Sequence, residues 1–457
     1  MPFLDVNQVL CAITTNIFND IFVFYYFLSY LCIMRVLIVN TSERTGGAAL
    51  AANRLMEALN NNGVKAKMLV RDKETDSLTV VGLNKGWRSR WHFLRERLEI
   101  YAKLYFSKKH LFEIDIANSG FDITGLREFR EADIIHLSWI NQGMLSLSDI
   151  KRILDSGKPV VWTMHDAWPA TAICHYTRGC KAFMTTCRYC RLLPGQGGRN
   201  DLANSVWNRK KQILDKYHIS FVACSRWLEQ QAKQSALLSQ HSITNIPNPI
   251  DIRVFRPMDK MSARRRLELP EEKKLILFVS QRVTDQRKGM LFLMDAIDEL
   301  VKDRPDAVEQ IGVAILGGHA EDFKDQLALP VYPLGYVSDE KKIVDVYNAV
   351  DVFVLPSLED NLPNTIMEAM ACGVPCVGFK TGGIPEEIDH KKNGYVADYR
   401  NTLDLKQGIN WVLEEADYQS LSVQAVKKVT TYYSQNSVSL RYIEVYNHAL
   451  AYKHYSI

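Results

Sequence analysis

"ITNIPNPID", Ile243 to Asp251, decides how this chain is divided. Two prolines and two asparagines within it break regular structure and read as a junction. The same pattern runs on both sides. Before it, "RVLIVN" (Arg35 to Asn40) is a buried apolar run. A "TGGAA" turn follows, then a helix through Leu50, Leu55, Met56 and Leu59 that ends near Gly63, then the strand "KAKMLV". "ADIIHLSW" (Ala132 to Trp139), "PVVWTMHD" (Pro159 to Asp166) and "ISFVACS" (Ile219 to Ser225) repeat the signal. After the junction come "KLILFVS" (Lys274 to Ser280), "VAILGG" (Val313 to Gly318), "DVFVLPS" (Asp351 to Ser357) and "VPCVGF" (Val374 to Phe379). Strands alternating with helices predict a parallel, doubly wound α/β domain, here twice. Two such domains leave a cleft, and ligands bind outside the carboxyl ends of the strands.

The expected organisation is an N-terminal domain over 34–247, a second domain over 248–433 and C-terminal helices over 434–457. The last follow from helical spacing at Val438, Leu440, Ile443, Tyr446 and Leu450. The 457 residues suffice for two or three domains with large cores. Hydrophobic residues make up 47% and charged residues 24%, the balance of a soluble globular protein. A net charge of +4 is too small to argue for nucleic acid, which is not expected as a partner. The nine cysteines are an odd number, and Cys224, Cys372 and Cys376 lie in apolar runs. That suits reduced thiols in the cytoplasm. Residues 1–33 contain the apolar run Ile21 to Ile33, shorter than the roughly 20 residues of a spanning helix. No Lys or Arg occurs before Arg35, and Met34 opens the first strand. The segment reads as an extension outside the fold, from a start assigned too early; a monotopic membrane anchor is the rival.

Three loops follow strands and would face the cleft. "EDNLPNTIMEAMACGVPCVG" (Glu359 to Gly378) opens a helix near Pro363 and stops it at Gly373. Its N-terminus offers bare N–H groups and partial positive charge, which attract phosphate. Asp360 and Glu368 flank it, placed to accept hydrogen bonds from hydroxyls. Ordinary helix capping by Asp360 and Asn364 explains this stretch equally well. "SQRVTDQRKG" (Ser280 to Gly289) brings Arg282, Arg287 and Lys288 to the first turn of the second domain, cations suited to a diphosphate. A solvated basic loop is the plain alternative. "TSERTGGAAL" (Thr41 to Leu50) places Gly46 and Gly47 where a backbone can approach a ligand. It is not a G-x-G-x-x-G fingerprint, so a dinucleotide cofactor is not supported.

From Met34 to about residue 450 the chain resembles the retaining glycosyltransferases of family 4. "TGGA", "MHDAW", "IPNPID", "R…RKG", "LGYVSDEK" and the E-x7-E-like stretch occur in that family's order. The resemblance implies a GT-B fold of two facing Rossmann-like domains and a nucleotide-sugar donor. It implies roles by position. Gly46 and Gly47 would admit the donor phosphate, and Arg282 and Lys288 would bind the diphosphate. Glu368 would hold the ribose, and Tyr336 would lie in the nucleobase loop. Asp360, with Asn361, Leu362, Pro363 and Asn364 after it, would hold the sugar. His165 would sit by the reacting face; a capping or core histidine is the alternative. No catalytic metal is implied. One departure is plain: Asp360 stands where the family has Glu, which leaves the identity of the sugar open.

Cys174, Cys180, Cys187 and Cys190 fall in an insertion over 174–190 whose last pair is a C-x2-C. Four thiolates at such spacing would complete a structural zinc site, with a redox pair or plain reduced thiols as rivals. Insertions of this kind occur in family members that build bacterial polysaccharides. "KGWRSRWHFLRERLEIYAKLYFSKKH" (Lys85 to His110) mixes basic and aromatic residues as an anionic membrane surface would require; a solvated helix is the alternative. The combined expectation is a cytoplasmic retaining hexosyltransferase, peripheral on the inner membrane face. It would move a sugar to a glycan or lipid-diphosphate-linked acceptor in polysaccharide assembly. The rivals are another GT-B enzyme, an epimerase or phosphorylase, and a non-catalytic nucleotide-sugar-binding scaffold.

Overall fold

The computed structural model describes residues 34–83 and 86–455. The extension read at residues 1–33, and Lys85 of the basic segment, lie outside the described residues.

Two all-parallel sheets organise the chain. The first has seven strands in the order β3-β2-β1-β4-β5-β6-β7. They are β1 (Arg35–Ser42), β2 (Lys65–Asp72), β3 (Val80–Gly82), β4 (Ile134–Leu137), β5 (Val160–Met164), β6 (Ser220–Ala223) and β7 (Ser242–Asn245). The second has six in the order β10-β9-β8-β11-β12-β13. These are β8 (Lys274–Arg282), β9 (Ile311–Gly318), β10 (Val331–Gly335), β11 (Val352–Leu355), β12 (Cys376–Phe379) and β13 (Gly394–Ala397). Both orders reverse direction after their first strand. The switch points, where a doubly wound sheet opens a crevice, lie between β1 and β4 and between β8 and β11. All three loops singled out in the sequence follow β1, β8 or β11.

The central strands read as continuous apolar runs because helices cover both faces. Val36, Leu37, Ile38 and Val39 are all buried, with Leu37 paired to Ile135 of β4 and to Lys67 of β2. Helix α1 (Gly47–Asn61) buries Ala52, Leu55, Met56 and Leu59 against this sheet. Helix α2 (Trp87–Lys103) buries Ile100, and its successor Leu104, on the opposite side. In the second domain α3 (Asn364–Ala371) is buried along most of its length and packs on α4 (Tyr418–Tyr432).

One expectation needs correction, and the C-terminal one gains a location. The junction stretch is not wholly irregular: Ser242–Asn245 forms β7, an edge strand with alternating exposure, and the break starts only at Ile246. A half-exposed edge strand tolerates the polar residues that looked like a breaker. The C-terminal segment is one helix, α5 (Gln435–Tyr455), and it returns to the first domain. Val438, Tyr442 and Tyr446 enter that domain's core, where the Tyr446 hydroxyl meets His136 of β4 at 2.6 Å. Ile250 and Ser434 pair as an isolated parallel bridge, so the outgoing and returning chains run side by side. Among the described residues no helix is long and apolar enough to cross a membrane.

Candidate active site

Two helix N-termini meet between the domains. Gly46, at φ 93°, turns the chain from β1 into α1, a conformation only glycine adopts without strain. Gly47 carries no Cβ, and one placed there would sit 3.7 Å from the Asn364 amide nitrogen. Asn364 opens α3, and its Nδ2 donates to the Gly47 carbonyl at 3.0 Å. Its Oδ1 accepts from Asn248 of the junction at 2.9 Å. Pro363 is the N-cap of α3 rather than its first residue, and Leu362 is buried in the second domain's core.

Asp360 is buried beside this turn. Lys288 Nζ donates to its Oδ2 at 2.6 Å, the Ser357 hydroxyl at 3.1 Å, and Arg287 Nη1 stands 3.4 Å away. Burial alone would raise its pKa; Lys288 and Arg287 outweigh it and hold the carboxyl below the ordinary range. Arg287 also donates to the Glu359 carbonyl at 2.9 Å and lies over the Tyr176 ring at 5.0 Å. Arg282 is exposed at the end of β8 and is not part of the group on Asp360. Around Asp360 it is Arg287 that joins Lys288. The sequence carried the signal, since Arg287 is adjacent to Lys288 in the same basic run.

Glu368, inside α3, is held from both domains. Its Oε1 accepts from Arg54 Nη2 of α1 at 2.8 Å, and its Oε2 from the Tyr347 hydroxyl at 2.9 Å. Arg54 lies over the Phe255 ring at 5.0 Å, and its Nη1 is buried without a partner. Neither Arg54 nor Tyr347 was legible as a site residue, because nothing in the spacing links Arg54 to a partner 314 positions away.

His165 follows β5. Its Nε2 meets the Ser138 hydroxyl at 2.9 Å, its Nδ1 lies 3.6 Å from Cys224 Sγ, and its carbonyl accepts from Asn361 Nδ2 at 3.0 Å. Burial pushes its pKa down to about 4, so at pH 7 it is a neutral imidazole. Asn361 also accepts from Ser225 at 2.5 Å. The next residue, Asp166, accepts from Trp139 Nε1 at 2.9 Å and faces His175 Nδ1 at 2.7 Å. His175 Nε2 reaches Asp115 at 2.6 Å, and Asp115 pairs with Arg97 of α2. This buried chain fixes the loop that carries His165. Tyr336 stands exposed after β10.

The insertion at 174–190 lies against the second domain. Tyr176 covers Arg287, and the Arg178 backbone donates to Glu359 at 3.2 Å. Cys174, Cys180, Cys187 and Cys190 are half-buried free thiols. Among the described residues no group of three or more His, Cys, Asp or Glu stands in a metal-binding arrangement. Burial pushes the Cys174 and Cys187 thiols up to about 12. Lys210, buried beside them, donates instead to the carbonyls of Trp168 at 2.6 Å and Thr171 at 3.0 Å.

Comparison with known proteins gives the following similarities. Residues 273–415 match the family described as "Glycosyl transferases group 1". A D-inositol 3-phosphate glycosyltransferase of Thermobispora bispora is 26% identical over 225 residues, 46% of this chain and 52% of that protein. An N-acetyl-alpha-D-glucosaminyl L-malate synthase of Bacillus anthracis is 24% identical over 213 residues, 45% of this chain and 53% of that protein. The chain thus spans about half the length of the curated relatives it matches. Among solved structures, a sucrose-phosphate synthase from Thermosynechococcus elongatus superposes with a TM-score of 0.63 at 17% identity, over 92% of this chain and 99% of that one. Anabaena HepE in complex with UDP-glucose superposes at 0.60 and 16% identity, over 91% and 100%. The fold is GT-B: two facing Rossmann-like domains with parallel sheets of seven and six strands.

Proposed function

We propose that this protein is a retaining glycosyltransferase. It takes a sugar from a nucleotide diphosphate donor and passes it to a glycan or lipid-linked glycan acceptor, in polysaccharide assembly. The carrying observation is that the N-terminus of α3 touches the Gly46–Gly47 turn across the domains, while Lys288 and Arg287 gather on Asp360 just before that helix. The N–H groups and the two cations suit a diphosphate, and Lys288 would stabilise the charge that develops on it as the sugar leaves. Asp360 and Glu368 suit the neutral hydroxyls of sugar and ribose. His165, neutral at pH 7, suits a hydrogen bond near the reacting carbon rather than a fixed positive charge. In a front-face reaction the leaving phosphate takes the acceptor's proton, so no dedicated base is required. The matched family and the neighbour solved with UDP-glucose support the donor class.

The test is release of nucleoside diphosphate across common sugar donors. One donor should be turned over, and Lys288→Ala and Glu368→Ala should each lower the rate about 100-fold or more while the circular dichroism spectrum is kept. Folded variants that turn over as fast as the parent would refute the reading, as would a chain inert to every donor.

A further inference from the structure

Helix α2 has two apolar faces and needs only one of them to fold. Its inner face is spent: Ile100 is buried, and Phe93 packs under the Arg71 and Arg97 guanidinium groups at 5.7 and 6.0 Å. The outer face carries Trp87, Trp91, Leu94 and Leu98, all exposed, the two indoles at 74% and 52%. At 3.6 residues per turn these four fall on one narrow stripe, with Arg90 on one border and Arg95 on the other. The chain beyond the helix extends the surface. Tyr105 and Phe106 are 78% and 70% exposed and sit at φ 51° and 63°, a left-handed conformation that a bulky residue rarely adopts. Phe112, Lys103, Lys108 and Lys109 are exposed alongside, and Glu99 is the exposed acid of the helix.

We propose that this stripe seats on the surface of an anionic phospholipid bilayer. Indole and phenyl rings bordered by Arg and Lys match the boundary between acyl chains and negatively charged headgroups. A second copy of the chain fits worse. A two-fold contact would bring Arg90 and Arg95 of one copy close to the same cations of the other. The position also has meaning. The inner face of α2 rests on the loop after β4, where a Cβ on Gly143 would come within 2.7 Å of the Phe93 backbone nitrogen, and on Arg71 near the end of β2. Helix α2 therefore packs at the carboxyl ends of β2 and β4, the edge of the first sheet where ligands of doubly wound domains bind. If the transferase reading holds, a bilayer there presents an acceptor that stays anchored in it. The docking itself does not depend on that reading.

The test is co-sedimentation of the full chain with vesicles of phosphatidylcholine alone or mixed with phosphatidylglycerol, at low salt. The mixed vesicles should bind at least about tenfold more tightly, and added salt should weaken binding. The variant Trp87→Ser/Trp91→Ser/Leu94→Ser/Leu98→Ser changes only exposed side chains. It should lose binding at least about tenfold with its melting temperature and donor turnover unchanged. Arg90→Glu/Arg95→Glu should lose it in the mixed vesicles. Equal binding to both vesicle types, or undiminished binding by both variants, overturns the proposal. A dimer that the serine variant dissolves, without vesicle binding by the parent, assigns the stripe to a second copy instead. A parent chain that binds neither vesicle type yet turns over a donor sinks the docking alone; a parent chain that binds the mixed vesicles with no donor turned over sinks the transferase reading alone.

Discussion

The ion pair between Arg54 and Glu368 yields the sharpest prediction, because it links the two domains and both partners are buried, at 8% and 6% exposure. Arg54→Met keeps most of the aliphatic stem over Phe255 and removes the guanidinium. Glu368 then retains one neutral partner, the Tyr347 hydroxyl. Leaving a buried charge unpaired in this way costs ~3–5 kcal/mol, whereas replacing both partners by uncharged groups is often close to neutral. Arg54→Met should therefore destabilise by about 3 kcal/mol, and adding Glu368→Gln to it should recover at least ~1.5 kcal/mol of that loss. The assay is urea unfolding of the parent, both single variants and the double variant, followed by tryptophan fluorescence. The pair joins the domains, so the loss should appear in the first transition. Effects that add within ~0.5 kcal/mol would refute the reasoning, since independent residues behave that way. The two groups would then not act on one another in solution, and the domain contact described here would not be the populated one.

Three further outcomes follow from the same contacts. Tyr347→Phe should cost ~1 kcal/mol in the same unfolding assay, the usual net worth of one hydrogen bond; no change would mean that Tyr347 does not support Glu368. Glu387 is fully buried with neither carboxylate oxygen hydrogen-bonded, and burial, then Asp360, hold its pKa well above the ordinary 4.5. The unfolded carboxyl ionises before the folded one, so this group's contribution to stability is lost as pH rises from 4.5 toward the raised pKa. Glu387→Gln should thus melt higher than the parent at pH 7.5 and close to it near pH 4, and a lower melting temperature at pH 7.5 would contradict the assignment. His165, with its pKa pushed down to about 4, stays uncharged through neutral pH. The turnover profile should show no inflection near pH 6.5 that His165→Asn removes; such an inflection would mean that the imidazole titrates at its usual value.

The frame of the molecule was readable because it depends on local pattern. "RVLIVN" and "KLILFVS" are apolar without alternation, which only strands covered on both faces require, and both became the central strands β1 and β8. Pro363 and Gly373 bounded α3 to within a residue or two. What could not be read depends on distance in sequence. Arg54 looked like one more cation on an amphipathic helix, and only the folded chain sets it against Glu368. Arg287 and Arg282 share one basic run, and the bend between them decides which reaches Asp360. The return of α5 to the first domain was equally hidden, since its apolar spacing fits any neighbour.

That return has a mechanical consequence. The polypeptide crosses between its halves twice at one place, with Ile250 and Ser434 bridged side by side. A doubled crossing leaves the two halves less freedom to move apart than a single connection would. A single proteolytic nick in either strand of the crossing would leave the halves attached, with Tyr442 and Tyr446 still anchored in the far core.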